Sequence, residues 1–203
     1  MKLIELESVR STNDYVKENA GSLVSPSMVV ARAQTAGRGQ RGNSWESEPG
    51  ANLTFSVFVR LHGFPARRQF AVSEAVALAV ADTLGAFGVE AKVKWPNDIY
   101  VGDRKICGIL IEHSLMGAEL MHTIAGAGVN VNQKRFLSPA PNPVSMWQLL
   151  GRETQLAAVR DEMVRRLEAA FSRIADEEGR QRVHKEFSGR LWRGDGKAYP
   201  FRD

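Results

Sequence analysis

The sequence predicts an α+β fold in which a mixed β-sheet is backed by helices. Four strand patterns follow one another between residues 90 and 131. Apolar residues recur at helical spacing over about 66–86, and two further helices are expected near the end of the chain. Because strands and helices do not alternate strictly, one α+β sheet is favoured over a succession of βαβ units.

Each element has a local signature. Alternation of apolar and charged residues predicts the first strand, and Ser11 or Thr12 can cap the helix that follows it. Asn142-Pro143 breaks the chain before a short helix that begins at Ser145. The expected strands are 2–7, 27–34, 52–60, 90–95, 98–101, 104–113 and 119–131. The expected helices are 11–20, 66–86, the short one from Ser145, 155–176 and 178–188.

The composition is that of an ordinary globular domain. The 203 residues are 43% apolar and 25% charged, which excludes a disordered, collagenous or disulfide-built protein. This length favours one domain with at most a small appendage. Cys107 is the single cysteine, so an internal disulfide, a zinc finger and an iron–sulfur cluster are excluded.

Charge and hydropathy restrict the expected partners and location. The net charge of +4 is mild, and it permits an anionic ligand without indicating nucleic acid. No apolar run approaches the ~20 residues that cross a bilayer, so no membrane association is expected. Residues 1–7 alternate charged and apolar side chains, unlike a signal peptide, and we expect a cytoplasmic protein.

A long polar loop with four glycines follows the second expected strand. Its Gly37-x-Gly39-x-x-Gly42 run matches the dinucleotide-binding fingerprint, but a strand rather than a helix is expected after it. A loop that closes over a phosphate through backbone N–H groups, Arg38 and Arg41 fits the pattern better. A merely flexible surface loop is the remaining alternative.

Two more segments carry side chains suited to a site. In Lys94-Trp95-Pro96-Asn97-Asp98, proline fixes a turn that holds an amide and a carboxylate at a strand end, although such a turn is also ordinary loop chemistry. Glycines within the strand pattern Gly126-Ala127-Gly128-Val129-Asn130 indicate a close approach of a ligand or backbone, or else a bulge. Lys105 either blunts a strand end or points inward at an anion.

Taken together, six motifs resemble the catalytic core of the biotin protein ligases, the biotin–[acetyl-CoA-carboxylase] ligases. Their order and spacing agree over residues ~8–132. They are Ser11-Thr12-Asn13, Gln34-Thr35-Ala36-Gly37-Arg38-Gly39, Trp45, Lys94-Trp95-Pro96-Asn97-Asp98, Arg104-Lys105 with Gly108-Ile109-Leu110-Ile111-Glu112, and Gly126-Ala127-Gly128-Val129-Asn130. The resemblance implies a fold related to class II aminoacyl-tRNA synthetases. It also implies activation of biotin by ATP to biotinyl-5′-AMP, then transfer to a lysine of a biotin carboxyl carrier domain.

The resemblance also implies roles for individual residues. Those expected to bind biotin are Ser11, Thr12, Asn13, Gln34, Arg38, Gly39, Gln40, Lys105 and Gly108. Those expected at the nucleotide are Gly37, Arg38, Gly39, Arg41, Trp45, Asn97 and Asn130. Catalytic roles fall to Arg38, Lys105 and Asp98. Magnesium is expected on the ATP phosphates rather than in a protein site.

Two departures from the family pattern bear on the expectations. Gln40 stands where the best-known bacterial members have arginine. The chain also ends where a C-terminal barrel normally continues, so we expect a catalytic domain over 1–187 and, over 188–203, only the start of an SH3-like barrel. No N-terminal winged helix is present, so no nucleic-acid binding is expected, whereas a homodimer is possible.

Two alternatives stay open. A lipoate or octanoate protein ligase of related fold would bind a plain apolar tail, and would not need the hydroxyl and amide groups that suit a ureido ring. A noncatalytic adenylate-binding module is the other alternative. Retention of both Lys105 and Asp98 argues against that module.

Overall fold

One mixed seven-stranded sheet forms the centre of the protein, as expected. In the computed structural model, which describes residues 1–138 and 140–199, the strand order is β1-β2-β3-β7-β6-β5-β4. The first pair is parallel and the other pairs are antiparallel. The strands are β1 Lys2–Val9, β2 Ser27–Gln34, β3 Leu53–Val59, β4 Lys92–Lys94, β5 Asp98–Val101, β6 Arg104–Met116 and β7 Glu119–Val129.

The helices also follow the expected order. They are α1 Thr12–Asn19, α2 Phe70–Ala86, α3 Met146–Leu150, α4 Leu156–Arg173 and α5 Glu177–Gly189. The side chain of Ser145 accepts a hydrogen bond from the Gln148 backbone N–H, and the Gln148 side chain accepts one from the Ser145 N–H. This reciprocal cap starts α3 at the expected place.

The sheet separates a large core from a small one. Phe55 and Val57 of β3 belong to the large core, which α2, α4 and α5 cover. Phe58 of the same strand packs on the opposite face with Val16 of α1. Because side chains alternate along a strand, Thr54 and Ser56 share the α1 face with Phe58. That face holds the candidate site.

Helix α2 differs from the amphipathic helix that the sequence predicts. Twelve of its 17 residues are buried. The helix lies between the sheet and the pair α4 and α5, so its apolar contacts continue around most of its circumference. Its many alanines allow this close packing, and its one buried acid, Glu74, contacts the His184 imidazole of α5 at 2.6 Å.

The segment after α5 folds back onto the sheet. The Trp192 backbone N–H donates to the Val93 carbonyl at 2.7 Å, and the Trp192 indole N–H donates to the Gly102 carbonyl. Residues 197–199 form no strand, and Pro200–Asp203 lie outside the described residues. The expected start of a barrel therefore stays a prediction, with helix α5 ending two residues beyond the expected domain boundary. Within the described residues, no helix has the length and hydropathy needed to cross a membrane.

Candidate active site

A cavity of about 590 Å³ opens on the α1 face of the sheet. The start of α1, the end of β2, the glycine loop (residues 35–50), the 94–98 turn and strand β6 form its walls. Most of the expected site residues line it: Ser11, Thr12, Asn13, Gln34, Arg38, Gly39, Gln40, Arg41, Trp45, Asn97, Asp98, Lys105 and Gly108. Segments far apart in the chain thus meet at one place.

Hydroxyl and amide groups form the floor of this cavity. The Gln34 side-chain carbonyl accepts hydrogen bonds from the backbone N–H of Thr12 at 2.8 Å and from its hydroxyl at 3.2 Å. Ser56 of β3 places its Oγ 2.7 Å from Thr12 Oγ1 and 2.5 Å from Asn13 Oδ1. Thr12, Asn13 and Ser56 are buried and Gln34 is half-buried. Because the four side chains are connected, their orientations are fixed before a ligand arrives.

The glycine loop has a tight conformation that no dinucleotide fingerprint shares. The turn Gln40–Gly42 is a single 3-10 turn, and the chain then pairs back through an isolated bridge between Arg38 and Ser44. No helix opens at these glycines, so the pyrophosphate-binding geometry of that fingerprint is missing. A Cβ at Gly37 would lie 2.7 Å from the Trp45 carbonyl oxygen, which explains the glycine there.

Arg38 is paired with two acids that the sequence analysis did not assign to the site. Its guanidinium lies 2.9 Å from the Asp14 carboxylate and 2.8 Å from that of Glu112. The same Glu112 oxygen accepts a hydrogen bond from Asn13 Nδ2 at 2.8 Å. An anionic ligand therefore has to compete with two carboxylates for Arg38. Residues 35–45 of the loop contain no acid, but α1 and β6 supply two in space.

Lys105 and Asp98 form an ion pair at the inner end of the cavity. The Lys105 Nζ lies 2.7 Å from Asp98 Oδ1, and both side chains are largely buried. The ammonium also lies 5.7 Å from the centre of the Trp45 ring. Lys105 lines the cavity, and the anion it contacts there is the Asp98 carboxylate. Burial raises the pKa of the neighbouring Cys107 thiol, against the opposing charge of Lys105, and that thiol belongs to the core as expected.

Trp45 occupies the groove that the strand glycines leave. A Cβ at Gly128 would lie 2.2 Å from its indole ring, and a Cβ at Gly108 would lie 3.0 Å from it. Gly126 is approached in the same way by Asn13 Oδ1 at 2.1 Å. The close approach predicted for these glycines is therefore real. Side chains of the protein make it in this structure, without a bulge at these positions.

A second cavity of about 390 Å³ lies on the other side of Trp45. Asn130 lines it and is fully buried, donating to the Val144 carbonyl at 3.0 Å, while its Oδ1 has no hydrogen-bond partner among the described residues. Asn97 instead faces the first cavity and donates to the Ile109 carbonyl at 2.9 Å. Trp45, Asp98 and Lys105 border both cavities.

Sequence reasoning gave no role to Ser56, Asp14 or Glu112, although Glu112 ends one of the six motifs. Ser56 had a usable signal, because it is a polar residue between Phe55 and the apolar run Val57–Val59. Every residue of β3 is buried. Glu112 ends the apolar run of β6. Asp14 had no signal, since an acid in the first turn of a helix is expected on general grounds.

Two curated proteins are similar to this chain over the region that holds the site. The bifunctional ligase/repressor BirA of Escherichia coli is 39% identical over 131 residues, which cover 64% of this chain and 40% of that protein. The biotin–[acetyl-CoA-carboxylase] ligase of Paracoccus denitrificans is 38% identical over 124 residues, covering 60% of this chain and 51% of that protein. The match thus spans about half or less of each relative.

Solved structures share the fold over most of this chain. The biotin protein ligase of Aquifex aeolicus in complex with biotin and ATP has a TM-score of 0.80 at 25% identity, over 94% of this chain and 78% of that one. That of Leishmania major in complex with biotinyl-5-AMP has a TM-score of 0.74 at 23% identity, over 100% and 86%. The family model for the biotin/lipoate A/B protein ligase family matches residues 5–130. With the motifs in order and the fold shared, the chain belongs to the biotin/lipoate A/B protein ligase family.

Proposed function

We propose that this chain activates biotin with ATP to biotinyl-5′-AMP and transfers the biotinyl group to a lysine of a biotin carboxyl carrier domain. The observation that carries this proposal is the position of Lys105. Its side chain lines both cavities, together with those of Trp45 and Asp98. A carboxylate in the first cavity and a nucleotide phosphate in the second would both lie next to this one cation.

The first cavity suits the ureido ring of biotin. A ureido group offers two N–H donors and one carbonyl acceptor, and the buried floor of Thr12, Asn13, Gln34 and Ser56 offers complementary hydroxyl and amide groups. This floor offers hydrogen-bonding groups that a ureido ring can use and a plain apolar tail cannot. The polar floor therefore favours biotin over lipoate or octanoate.

In the first step, a biotin carboxylate oxygen attacks the α-phosphorus of ATP and pyrophosphate leaves. Lys105 stabilises the negative charge that develops between the carboxylate and the phosphate. Asp98, 2.7 Å from its ammonium, holds Lys105 in this position. Arg38 adds a second cation once an anion displaces it from Asp14 and Glu112, and its planar fork can bind two oxygens.

In the second step, the amine of the carrier lysine attacks the acyl carbon and AMP leaves. The proton that the amine loses needs an acceptor, and Asp98 is the carboxylate that lines both cavities. Magnesium accompanies the ATP phosphates in this proposal.

Biotin-dependent exchange of labelled pyrophosphate into ATP tests the first step without a carrier. We expect exchange with biotin and none above background with lipoate or octanoate. Exchange with lipoate alone would transfer the assignment to the lipoate branch of the family. Binding of preformed biotinyl-adenylate without any exchange would instead support the noncatalytic module. Transfer is then measured separately with a carrier domain.

A further inference from the structure

Glu46 joins the glycine loop to a second loop, residues 133–138. Its Oε1 accepts hydrogen bonds from the Leu137 backbone N–H at 2.8 Å and from Gln133 Nε2 at 3.2 Å. Its Oε2 accepts one from the Ser138 backbone N–H at 2.7 Å. One carboxylate thus satisfies two consecutive backbone donors and an amide. Glu46 follows Trp45 directly in the chain, and both residues line the second cavity.

A buried brace fixes the root of the second loop. Gln133 is almost completely buried. Its Oε1 accepts from Asn52 Nδ2 at 2.5 Å, and its Nε2 donates to the Arg135 carbonyl at 2.9 Å. Asn52 in turn accepts from the Val131 N–H. The beginning of residues 133–138 is therefore held by the sheet, whereas its outer end is held by Glu46.

The joined loops enclose the second cavity. Glu46, Phe136 and Ser138 line it together with Asn130. Leu137, between the last two lining residues of the loop, is 90% exposed and contributes no burial of its own. Packing of Leu137 therefore does not hold this outer part of the wall. Among the described residues, the hydrogen bonds to the Glu46 carboxylate hold the backbone of Leu137 and Ser138 beside the cavity.

We propose that Glu46 is a positioning residue that sets the affinity for the nucleotide by holding residues 133–138 as a wall of the second cavity. This inference rests on the proposed function, in which that cavity takes the nucleotide. Glu46 itself touches neither reacting group. A loop already held in place loses less conformational freedom on binding, so the free protein binds the nucleotide more tightly than a protein with an open loop would.

The neutral substitution Glu46→Gln tests this with almost no change in shape. A carboxamide has one oxygen where the carboxylate has two, and it places an N–H₂ against a backbone donor. Glu48→Gln is the matched control, because it removes the same charge from an exposed side chain that lies two residues further along the chain. Glu46→Ala serves as a second variant, and thermal unfolding of all three checks that they fold.

Two measurements separate a failure of this inference from a failure of the proposed function. The first needs no substrate: trypsin cleaves after Lys134 and Arg135, which are exposed in the joined loop. We expect cleavage there to become at least about fivefold faster in Glu46→Gln, with unchanged rates in Glu48→Gln. Equal rates in wild type and both Glu46 variants overturn the inference, whatever the protein catalyses.

The second measurement is the split of kinetic constants in pyrophosphate exchange. We expect the KM for ATP to rise about tenfold in Glu46→Gln, equivalent to about 1.4 kcal/mol, while the KM for biotin and kcat stay within twofold. A general structural defect would change all three constants. An unchanged KM for ATP beside faster cleavage would also overturn the inference, since the wall would then not affect the nucleotide.

Discussion

Replacing Gly128 with alanine should displace Trp45 and disable adenylation while leaving the fold intact. The added Cβ would lie 2.2 Å from two ring atoms of the indole, whereas ordinary contact begins near 3.4 Å. Gly128 is fixed between β3 and β6, so the backbone cannot yield. The ring has to move by more than 1 Å, by the difference between those two distances.

The size of the effect follows from where the ring can go. Forcing an extra methyl into a closed core costs ~1–3 kcal/mol, but Trp45 borders open cavities and can retreat into them. We therefore expect a loss of stability of no more than about 1 kcal/mol, which is a fall in Tm of about 2–4 °C for a chain of this size. A misplacement of about 1 Å beside the reacting groups costs on the order of 100-fold in rate.

The assay is biotin-dependent pyrophosphate exchange, with Gly85→Ala as the control because a Cβ there meets open space. The double variant Gly128→Ala/Trp45→Ala identifies the cause. If the clash acts through the indole, the double variant should be no slower than Trp45→Ala alone. Exchange in Gly128→Ala within threefold of wild type would refute the reasoning, as would additive losses in the double variant.

Three further predictions concern charged and polar groups of the same region. Lys105→Ala and Arg38→Ala should each lower exchange by about 100-fold or more, since one lost contact to developing charge costs ~3 kcal/mol; activity within threefold in both contradicts their placement. Burial would raise the pKa of Glu46, but hydrogen bonds from Ser138, Leu137 and Gln133 outweigh it and lower that pKa. In urea unfolding, the wild type should therefore have a larger free energy of unfolding than Glu46→Gln. This difference should reach its maximum above the ordinary glutamate pKa and disappear as pH falls through the lowered pKa; a difference that grows on acidification contradicts this. Gln40→Arg should slow release of preformed biotinyl-adenylate about tenfold, because a guanidinium gives charge-assisted bonds to phosphate; equal release contradicts this, and equal release with faster release in Arg41→Ala would show that Arg41 already supplies those bonds.

The sheet and its helices could be predicted because local patterns determine them. Alternation in β1 and β3, and the break at Asn142-Pro143 before α3, each depend on residues close in sequence. Element ends moved by a few residues, as at β6, which extends to Met116 beyond the expected end at residue 113. The burial of α2 on most sides was not predicted, because it depends on α4 and α5, whose positions no local pattern gives.

The site shows the same division. Motif residues such as Lys105, Asp98 and Gln34 lie together as expected, because the resemblance supplied their joint presence. The partners of Arg38 were not predicted, since Asp14 and Glu112 come from elements that meet it only in space. The groove filled by Trp45 also needed coordinates. A strand glycine indicates that something approaches, but not which group.

The central pairing of β3 with β7 has a consequence for the order in which this protein acquires its site. Strands β4 to β7 form a meander of neighbouring antiparallel strands, so its contacts are short in sequence and close early. Leu53 pairs with Val129, which comes from a distant part of the chain, and this pairing carries a larger loop-closure entropy. The floor of the first cavity comes from the β1–β3 part, while Asp98 and Lys105 come from the meander. We therefore expect the two parts of the site to be joined at this long-range step of folding, with secondary structure returning before biotin-dependent exchange does.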